Sequence, residues 1–228
     1  MNCKNCGEIV EDQFCSRCGQ SIKVSEINFT NFLNEVTQSV FLVNKGFFYT
    51  LIKLFKSPGQ SIADFLAGKR KYYFKPITYL LVLSTLYFLI SRFAETNTLI
   101  YNFITGFFLN DSINEGEMPS SLTWFTTNYA YTSLILVPFF SLVSFLAFIG
   151  YKRNYLEHII LNAYITGQQA VIYSIFILLD ILVESEFLVG ISSIISVAYV
   201  FWVFWQFFKE GNRILNVFRS ILTYIIYL

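Results

Sequence analysis

The chain has 228 residues, of which 55% are hydrophobic, 19% aromatic and only 14% charged, with a net charge of +1. Soluble domains carry about 25% charged residues, so this composition excludes an ordinary soluble domain and predicts a membrane protein.

The first predicted element is a cysteine-rich head, residues 1–22. All the cysteines of the chain lie here, in two C-x2-C pairs: Cys3, Cys6, Cys15 and Cys18. Four thiolates at this spacing can close a tetrahedral shell around Zn(II), and a glycine after each pair (Gly7, Gly19) can adopt the positive φ of a tight turn. A closed shell leaves no open ligand position, which predicts a structural zinc that stabilises the head. We expect Phe14 to pack over its small core.

Residues 26–75 are predicted to form amphipathic helices rather than a linker. Apolar residues fall on one helical face from Phe29 to Phe41 and again from Phe47 to Phe55. In "SPGQSIADFLAG", the Ser-Pro pair and the last glycine mark the two ends of another helix. Such helices lie in the membrane interface or pack on the ends of the spans, and the two arrangements can coexist. We expect four cations to contact anionic lipid headgroups: Lys69, Arg70, Lys71 and Lys75.

Residues 76–228 are predicted to form the transmembrane domain. Four apolar runs are long enough to cross a bilayer: 76–93, 129–149, 159–183 and 187–208. They lack period-two alternation, so helices are expected. A shorter run, 214–228, is a partial fifth span or a surface helix. The predicted fold is therefore an all-α polytopic membrane protein with a small N-terminal head and interfacial helices.

The distribution of charge predicts the orientation of the chain. Fifteen of the sixteen lysines and arginines precede the first span, lie between the second and third spans, or follow the fourth. The two opposite loops are acidic. Basic loops stay in the cytoplasm, so we expect a cytoplasmic N-terminus. That compartment keeps thiols reduced, which favours a metal over disulfides.

The third span carries a stripe of polar residues. The members recur at steps of three, four or seven and share one helical face: His158, Asn162, Thr166, Gln169, Tyr173 and Asp180. Glu157 lies directly before His158 at the start of this span. Polar residues in lipid face the bundle interior or a wet cavity. One interpretation is a transport path or proton relay, and the other is hydrogen bonding between helices. Glu157 and His158, at the inner end, are also candidates for chemistry because both can titrate.

Several segments together resemble a known family. The paired-cysteine head, "GFFYTLIKLFKSPG", "FLAGKRKYYFKP" and the later "YLEH" are similar to bacterial membrane proteins catalogued as domain of unknown function 3667. The matching positions are Gly46, Thr50, Leu51, Pro58, Gly59, Gly68, Lys69, Arg70, Tyr72, Pro76, Glu157 and His158. The resemblance implies a polytopic inner-membrane protein with a zinc-ribbon-like head, and it implies no activity.

No enzyme signature is present: the sequence lacks a phosphate-binding loop, a dinucleotide-binding glycine motif, HExxH and G-x-S-x-G. We therefore expect an inner-membrane scaffold or adaptor that engages a cytoplasmic protein partner through the head, in contact with the bilayer and anionic headgroups. One alternative is a small transporter or channel that uses the polar face of the third span. Another is a lipid-modifying enzyme that uses Glu157 and His158. Nucleic acid is not an expected partner, because the few cations of the head are balanced by acidic residues.

Overall fold

A computed structural model describes residues 1–23, 46–108, 120–183, 187–209 and 212–227. Within those ranges, regular secondary structure is entirely helical, and the only extended pairings are isolated bridges. The predicted all-α class is therefore confirmed. The amphipathic helix predicted between Phe29 and Phe41 lies outside the described residues.

The described helices follow the predicted order along the chain. They are α1 (Gly46–Lys56), α2 (Pro58–Leu66), α3 (Pro76–Phe93), α4 (Leu99–Phe108), α5 (Ser120–Thr127), α6 (Tyr129–Ala147), α7 (Tyr155–Val183), α8 (Phe187–Phe207) and α9 (Arg213–Tyr227). Four helical segments are long and apolar enough to cross a bilayer: Pro76–Phe93, Tyr129–Ala147, Tyr155–Val183 and Gly190–Phe207. These are the four predicted spans, and the chain is a multi-pass membrane protein.

The spanning helices bury small hydroxyl residues within a mainly apolar core and expose large apolar side chains. Small hydroxyl side chains are buried between them, among them Ser84, Ser141, Ser144 and Ser196. Large apolar side chains point outward, among them Leu89, Phe139, Leu146 and Ile194. A soluble bundle would instead expose mainly polar side chains. In lipid, small residues let helices approach closely, and the exposed apolar side chains form an outer surface that contacts the bilayer.

Helices α3 and α7 form the central pair of the bundle, with α6 and α8 packed on either side of α7. Their close approach depends on Gly167 of α7, because a Cβ there would lie 2.8 Å from Cδ1 of Tyr79. Both residues are buried. The helix crossing is therefore set by the absence of a side chain at one position.

Helix α9 packs against α6 and α8. Its buried face is polar, with Asn216, Ser220 and Thr223, whereas Phe218 and Leu222 are exposed. Fifteen residues extend only about 22 Å, less than the roughly 30 Å of a bilayer core. The helix is accordingly absent from the four spanning segments, as the prediction of a partial span or surface helix allows.

Helices α1 and α2 close one end of the bundle, which we call the head end. Gly59 of α2 approaches α8 so closely that a Cβ would lie 2.5 Å from Cβ of Gln206, and its N–H donates to Oε1 of the same residue at 3.1 Å. Leu54 of α1 accepts a hydrogen bond from the hydroxyl of Tyr199 at 3.2 Å. These contacts fix the two short helices on the spans. In α1, Phe48 and Ile52 nevertheless remain exposed.

Candidate metal centre and intramembrane sites

The four cysteines converge on one point in the head. Their sulfur atoms all lie within 4.8 Å of one another. The Sγ atoms of Cys3 and Cys18 are 3.6 Å apart, and those of Cys6 and Cys15 are 3.5 Å apart. A tetrahedral zinc with bonds of about 2.3 Å places its sulfurs about 3.8 Å apart. The four thiols therefore match the dimensions of such a shell and could bind one metal ion.

Two equivalent turns position the thiols. Cys3 N–H donates to Glu8 O at 2.8 Å, and Cys15 N–H donates to Gln20 O at 2.9 Å. The glycine inside each turn has a positive φ, 80° at Gly7 and 69° at Gly19, as the sequence predicts. The head is thus a repeat of one short motif, Cys-x2-Cys-Gly followed by Glu or Gln, with the two copies facing each other across the sulfurs.

The environment of the sulfurs favours one ionised thiol and one that keeps its proton. The backbone N–H of Cys6 lowers the pKa of the Cys3 thiol to about 7. At Cys6 the Glu8 backbone N–H also lowers the pKa, but burial and the crowding of neighbouring thiols outweigh it and raise the pKa to about 12. A divalent ion binds thiolates, so its binding must displace protons from the cluster.

Gln20 attaches the head to the membrane domain. Its Nε2 donates to Gly68 O at 2.9 Å, and its Oε1 accepts from the N–H groups of Arg70 and Lys71 at 3.2 and 3.1 Å. Gln20 is only 5% exposed. The Lys71 ammonium adds a bond to Gly19 O at 3.0 Å. Sequence analysis missed the role of Gln20, although one signal was present. The equivalent position of the first turn is the exposed, charged Glu8, whereas the second turn has a neutral glutamine there.

The outward surface of the head carries apolar side chains. Ile9 is 73% exposed and Phe14 is 61% exposed. The expectation that Phe14 packs over the head core is therefore wrong. The core consists of Val10 and the cysteines, with Ile22 partly buried against them.

The predicted headgroup-binding cations have different environments. Lys69 forms an ion pair with Asp64 at 2.9 Å, and the Arg70 guanidinium lies 5.1 Å from the centre of the Phe65 ring. Lys71 contacts the head as described above, and Lys75 immediately precedes α3. All four lie on the short segment between α2 and α3, beside the head.

The side chains of Glu157 and His158 have different partners and do not contact the same groups. Glu157 and Asn154 cap the start of α7 reciprocally: Glu157 Oε2 accepts from Asn154 N–H at 2.9 Å, and Asn154 Oδ1 accepts from Glu157 N–H at 2.9 Å. The other carboxylate oxygen lies 3.4 Å from Arg153. His158 is buried and its ring packs against Phe208. These contacts favour a helix cap and a packing role over an acid–base pair.

His158 and Asn162 join a buried polar cluster with α6. Nδ1 of His158 lies 3.0 Å from Oγ of Ser144, and the Asn162 amide donates to Ser144 at 3.0 Å and to Ser141 at 3.3 Å. The Asn162 amide also donates to the His158 carbonyl at 2.9 Å. The cluster joins α6 to α7 near the head end, and its bonds are of the interhelical kind that stabilises bundles in lipid.

The rest of the predicted polar face lines cavities further along α7. Gln169 donates to Ser196 of α8 at 2.8 Å. Thr166, Gln169 and Tyr173 border a cavity of about 340 Å³, and Tyr173 and Asp180 border a second cavity of about 300 Å³. The structure therefore divides the stripe into a packed cluster near the head end and a cavity wall beyond it.

A further polar residue of α7 lies on a different face of the helix, towards α3. Gln168 is fully buried and its Oε1 accepts a hydrogen bond from the hydroxyl of Tyr79 on α3. Sequence analysis missed it because it falls outside the predicted stripe. With Gly167 beside it, this residue belongs to the central α3–α7 contact.

Comparisons with known proteins give one match. Neither a curated protein nor a solved structure matches the chain. Residues 44–88, which include α1, α2, the basic segment and most of α3, match the family model described as "Protein of unknown function (DUF3667)". This match confirms the resemblance predicted from the sequence over the part of the chain that contacts Gln20 of the head.

Proposed function

We propose that this chain is an adaptor of the bacterial inner membrane that holds a zinc-stabilised head against the cytoplasmic end of its bundle and presents it to a protein partner. The attachment by Gln20 is the observation that carries the proposal. Three hydrogen bonds of one buried side-chain amide hold the head against the bundle instead of leaving it on a free tether, so a partner bound to the head would have a defined orientation to the membrane.

Zinc is the metal that best suits the head. Four sulfur ligands with no nitrogen or oxygen donor select a soft or borderline ion, and the sulfur separations agree with a tetrahedral shell. A head of about twenty residues buries little apolar surface, with Val10 as its only fully buried aliphatic side chain. Metal binding would supply the folding free energy that this core lacks.

Charge supports a cytoplasmic head end. Lys53, Lys56 and the cations between α2 and α3 lie in the segments at the head end of the bundle, whereas Glu95 and Asp180 lie at or just beyond the opposite ends of α3 and α7. Basic residues flanking spans favour the cytoplasmic side. The exposed apolar residues Phe48 and Ile52 would insert among the headgroups there, with Lys69, Arg70, Lys71 and Lys75 attracting anionic lipid.

The proposed partner surface is the exposed apolar side of the head, Ile9 and Phe14. Contiguous exposed apolar patches rimmed by polar residues mark interaction sites, and we infer that these two side chains form such a patch. A photo-crosslinking amino acid placed at position 14 in living cells tests this. We expect one adduct of defined mass that disappears when Cys15→Ser disrupts the metal centre. The same crosslinker at position 13, the exposed neighbour Gln13, serves as the matched control for general proximity.

Two outcomes would contradict the adaptor proposal. If position 14 gives only lipid adducts or none, or if the protein adduct persists after Ile9→Ser combined with Cys15→Ser, then the head does not recruit a partner through this surface. The zinc proposal is checked separately, because the Cys15→Ser protein is also measured for its metal content.

A further inference from the structure

One cavity of about 340 Å³, which we call the midspan cavity, lies between the spanning helices α6, α7 and α8. Residues from Ile165 to Tyr173 border it on α7, near the middle of that 29-residue helix. The short helices α4 and α5 and the C-terminal helix α9 complete its wall. The volume of this single cavity lies within the range of ligand sites in proteins, about 300–1,000 Å³.

The wall of the midspan cavity is mainly apolar and carries no charged side chain. Apolar residues come from three different spans: Leu136 and Phe140 of α6, Ile165 of α7 and Val200 of α8. The described lining includes no aspartate, glutamate, lysine, arginine or histidine. A charged group at this depth would lose its hydration and would find no opposite charge in that lining. The cavity therefore suits a neutral molecule that consists mostly of hydrocarbon.

One side-chain amide in this wall has unused hydrogen-bonding groups. Gln169 is half-buried at the cavity, and its Nε2 donates to Oγ of Ser196 on α8 at 2.8 Å. A glutamine amide has two N–H groups and one carbonyl oxygen. Within the described part of the chain, the second N–H group and the Oε1 atom of Gln169 form no hydrogen bond. Gln169 therefore offers a donor and an acceptor side by side.

A hydroxyl group matches this pair better than other neutral groups. It can accept from the free N–H and donate to the carbonyl oxygen, whereas a ketone or ester carbonyl can only accept. Water could form the same two bonds, but the apolar remainder of the cavity would leave further waters without the two to four partners that buried water needs. Hydrocarbon is available directly, because large apolar side chains on the outside of the same helices contact the bilayer.

We propose that the midspan cavity binds a neutral long-chain alcohol from the bilayer. The hydroxyl group of the alcohol binds the side-chain amide of Gln169, and its hydrocarbon chain packs against the apolar wall. The bond between Gln169 and Ser196 joins α7 to α8 and at the same time orients the amide, so that its two remaining groups are available to the ligand. This site is independent of the metal centre and of the adaptor proposal.

The test uses the full-length protein in phosphatidylcholine nanodiscs and two photoactivatable probes of equal chain length, a primary alkyl alcohol and an alkyl carboxylate. Both carry a diazirine in the chain, and mass spectrometry locates the labelled residues. We expect the alcohol to label the cavity residues of α6 and α7, and an excess of unlabelled alcohol to suppress that labelling but not the labelling of lipid-facing residues. The carboxylate should label the cavity at least about tenfold less, because its charge has no partner there.

Two variants lose the same bond between helices but differ in whether the amide remains. Gln169→Leu removes the amide together with its bond to Ser196, whereas Ser196→Ala removes the bond and keeps the amide. We expect alcohol labelling of the cavity to fall about tenfold or more in Gln169→Leu, because two hydrogen bonds of ordinary strength correspond to about that factor. In Ser196→Ala we expect labelling close to the wild-type level.

Filling the cavity should exclude the ligand. Thr166 is half-buried in the cavity wall, so Thr166→Phe is expected to abolish labelling there. Leu142→Phe, on the lipid-facing side of α6, is the matched control and should leave labelling unchanged. Suppression by unlabelled alcohol in the wild-type protein tests the same point without any substitution.

Three results would overturn the proposal. An equal loss of labelling in Gln169→Leu and Ser196→Ala, or no loss in Gln169→Leu, would show that the amide serves only helix packing. Cavity labelling by the carboxylate as strong as that by the alcohol would show that the site does not select a neutral headgroup. Labelling that unlabelled alcohol does not suppress and that Thr166→Phe leaves unchanged would show general partitioning into the membrane.

Discussion

Replacing Gln20 with alanine should release the head from the bundle without disturbing the metal centre. The substitution removes all three hydrogen bonds to the Gly68–Lys71 segment and leaves the cysteine turns intact, because these use only the backbone of residue 20. At about 1 kcal/mol of net stabilisation for each bond, the docked state loses about 3 kcal/mol. One factor of ten corresponds to about 1.4 kcal/mol, so the docking equilibrium shifts about 100-fold.

Hydrogen–deuterium exchange measures this shift directly. The amides of Arg70 and Lys71 donate to the Gln20 side chain, so their protection reports the docked population. We expect their exchange in Gln20→Ala to rise by up to about 100-fold, with bound zinc unchanged. Gln13→Ala, an exposed glutamine of the same head, should leave exchange as in the wild type. Unchanged protection in Gln20→Ala would refute the attachment of the head by this residue.

The remaining predictions concern packing and metal binding. Gly59→Ala should lower the Tm by about 3–10 °C, because its Cβ would meet the α8 backbone at Phe207 N at 2.5 Å; Gly106→Ala, with open space around it, should not lower it. Tyr164→Phe should cost about 1–3 kcal/mol, measured by denaturant unfolding in detergent, because it leaves the Phe74 carbonyl without its 2.6 Å donor; wild-type stability would contradict that role. Protons compete with the metal for the thiolates, so the affinity for the metal should fall as the pH is lowered; a chelating dye measures this decrease, and affinity independent of pH would argue against thiolate ligands.

Much of the fold could be predicted because lipid imposes simple constraints on sequence. The four spans follow from length and hydropathy, and the first, Pro76–Phe93, has its predicted limits. The convergence of the cysteines followed from the two C-x2-C pairs. Gly7 and Gly19 also have the predicted positive φ, because few residues other than glycine can close such a turn.

The contacts of the third span could not be predicted in the same way. A helical wheel shows that Asn162 and Gln169 share a face, but it does not show which neighbour each meets. Over the 29 residues of α7 the neighbours change, so Asn162 meets α6 and Gln169 meets α8. Gln20 was missed for a related reason: the role of a glutamine depends on the surface that packs against it, and that surface lies about fifty residues further along the chain.

The central claim is that a thiolate-bound zinc stabilises the head in its docked position. Its most direct test is metal analysis, with thiol counting, of the full-length protein purified in detergent without added metal. The account predicts one zinc per chain with all of Cys3, Cys6, Cys15 and Cys18 reduced, and no zinc in Cys3→Ser. Metal-free protein whose cysteines are paired as disulfides would contradict it.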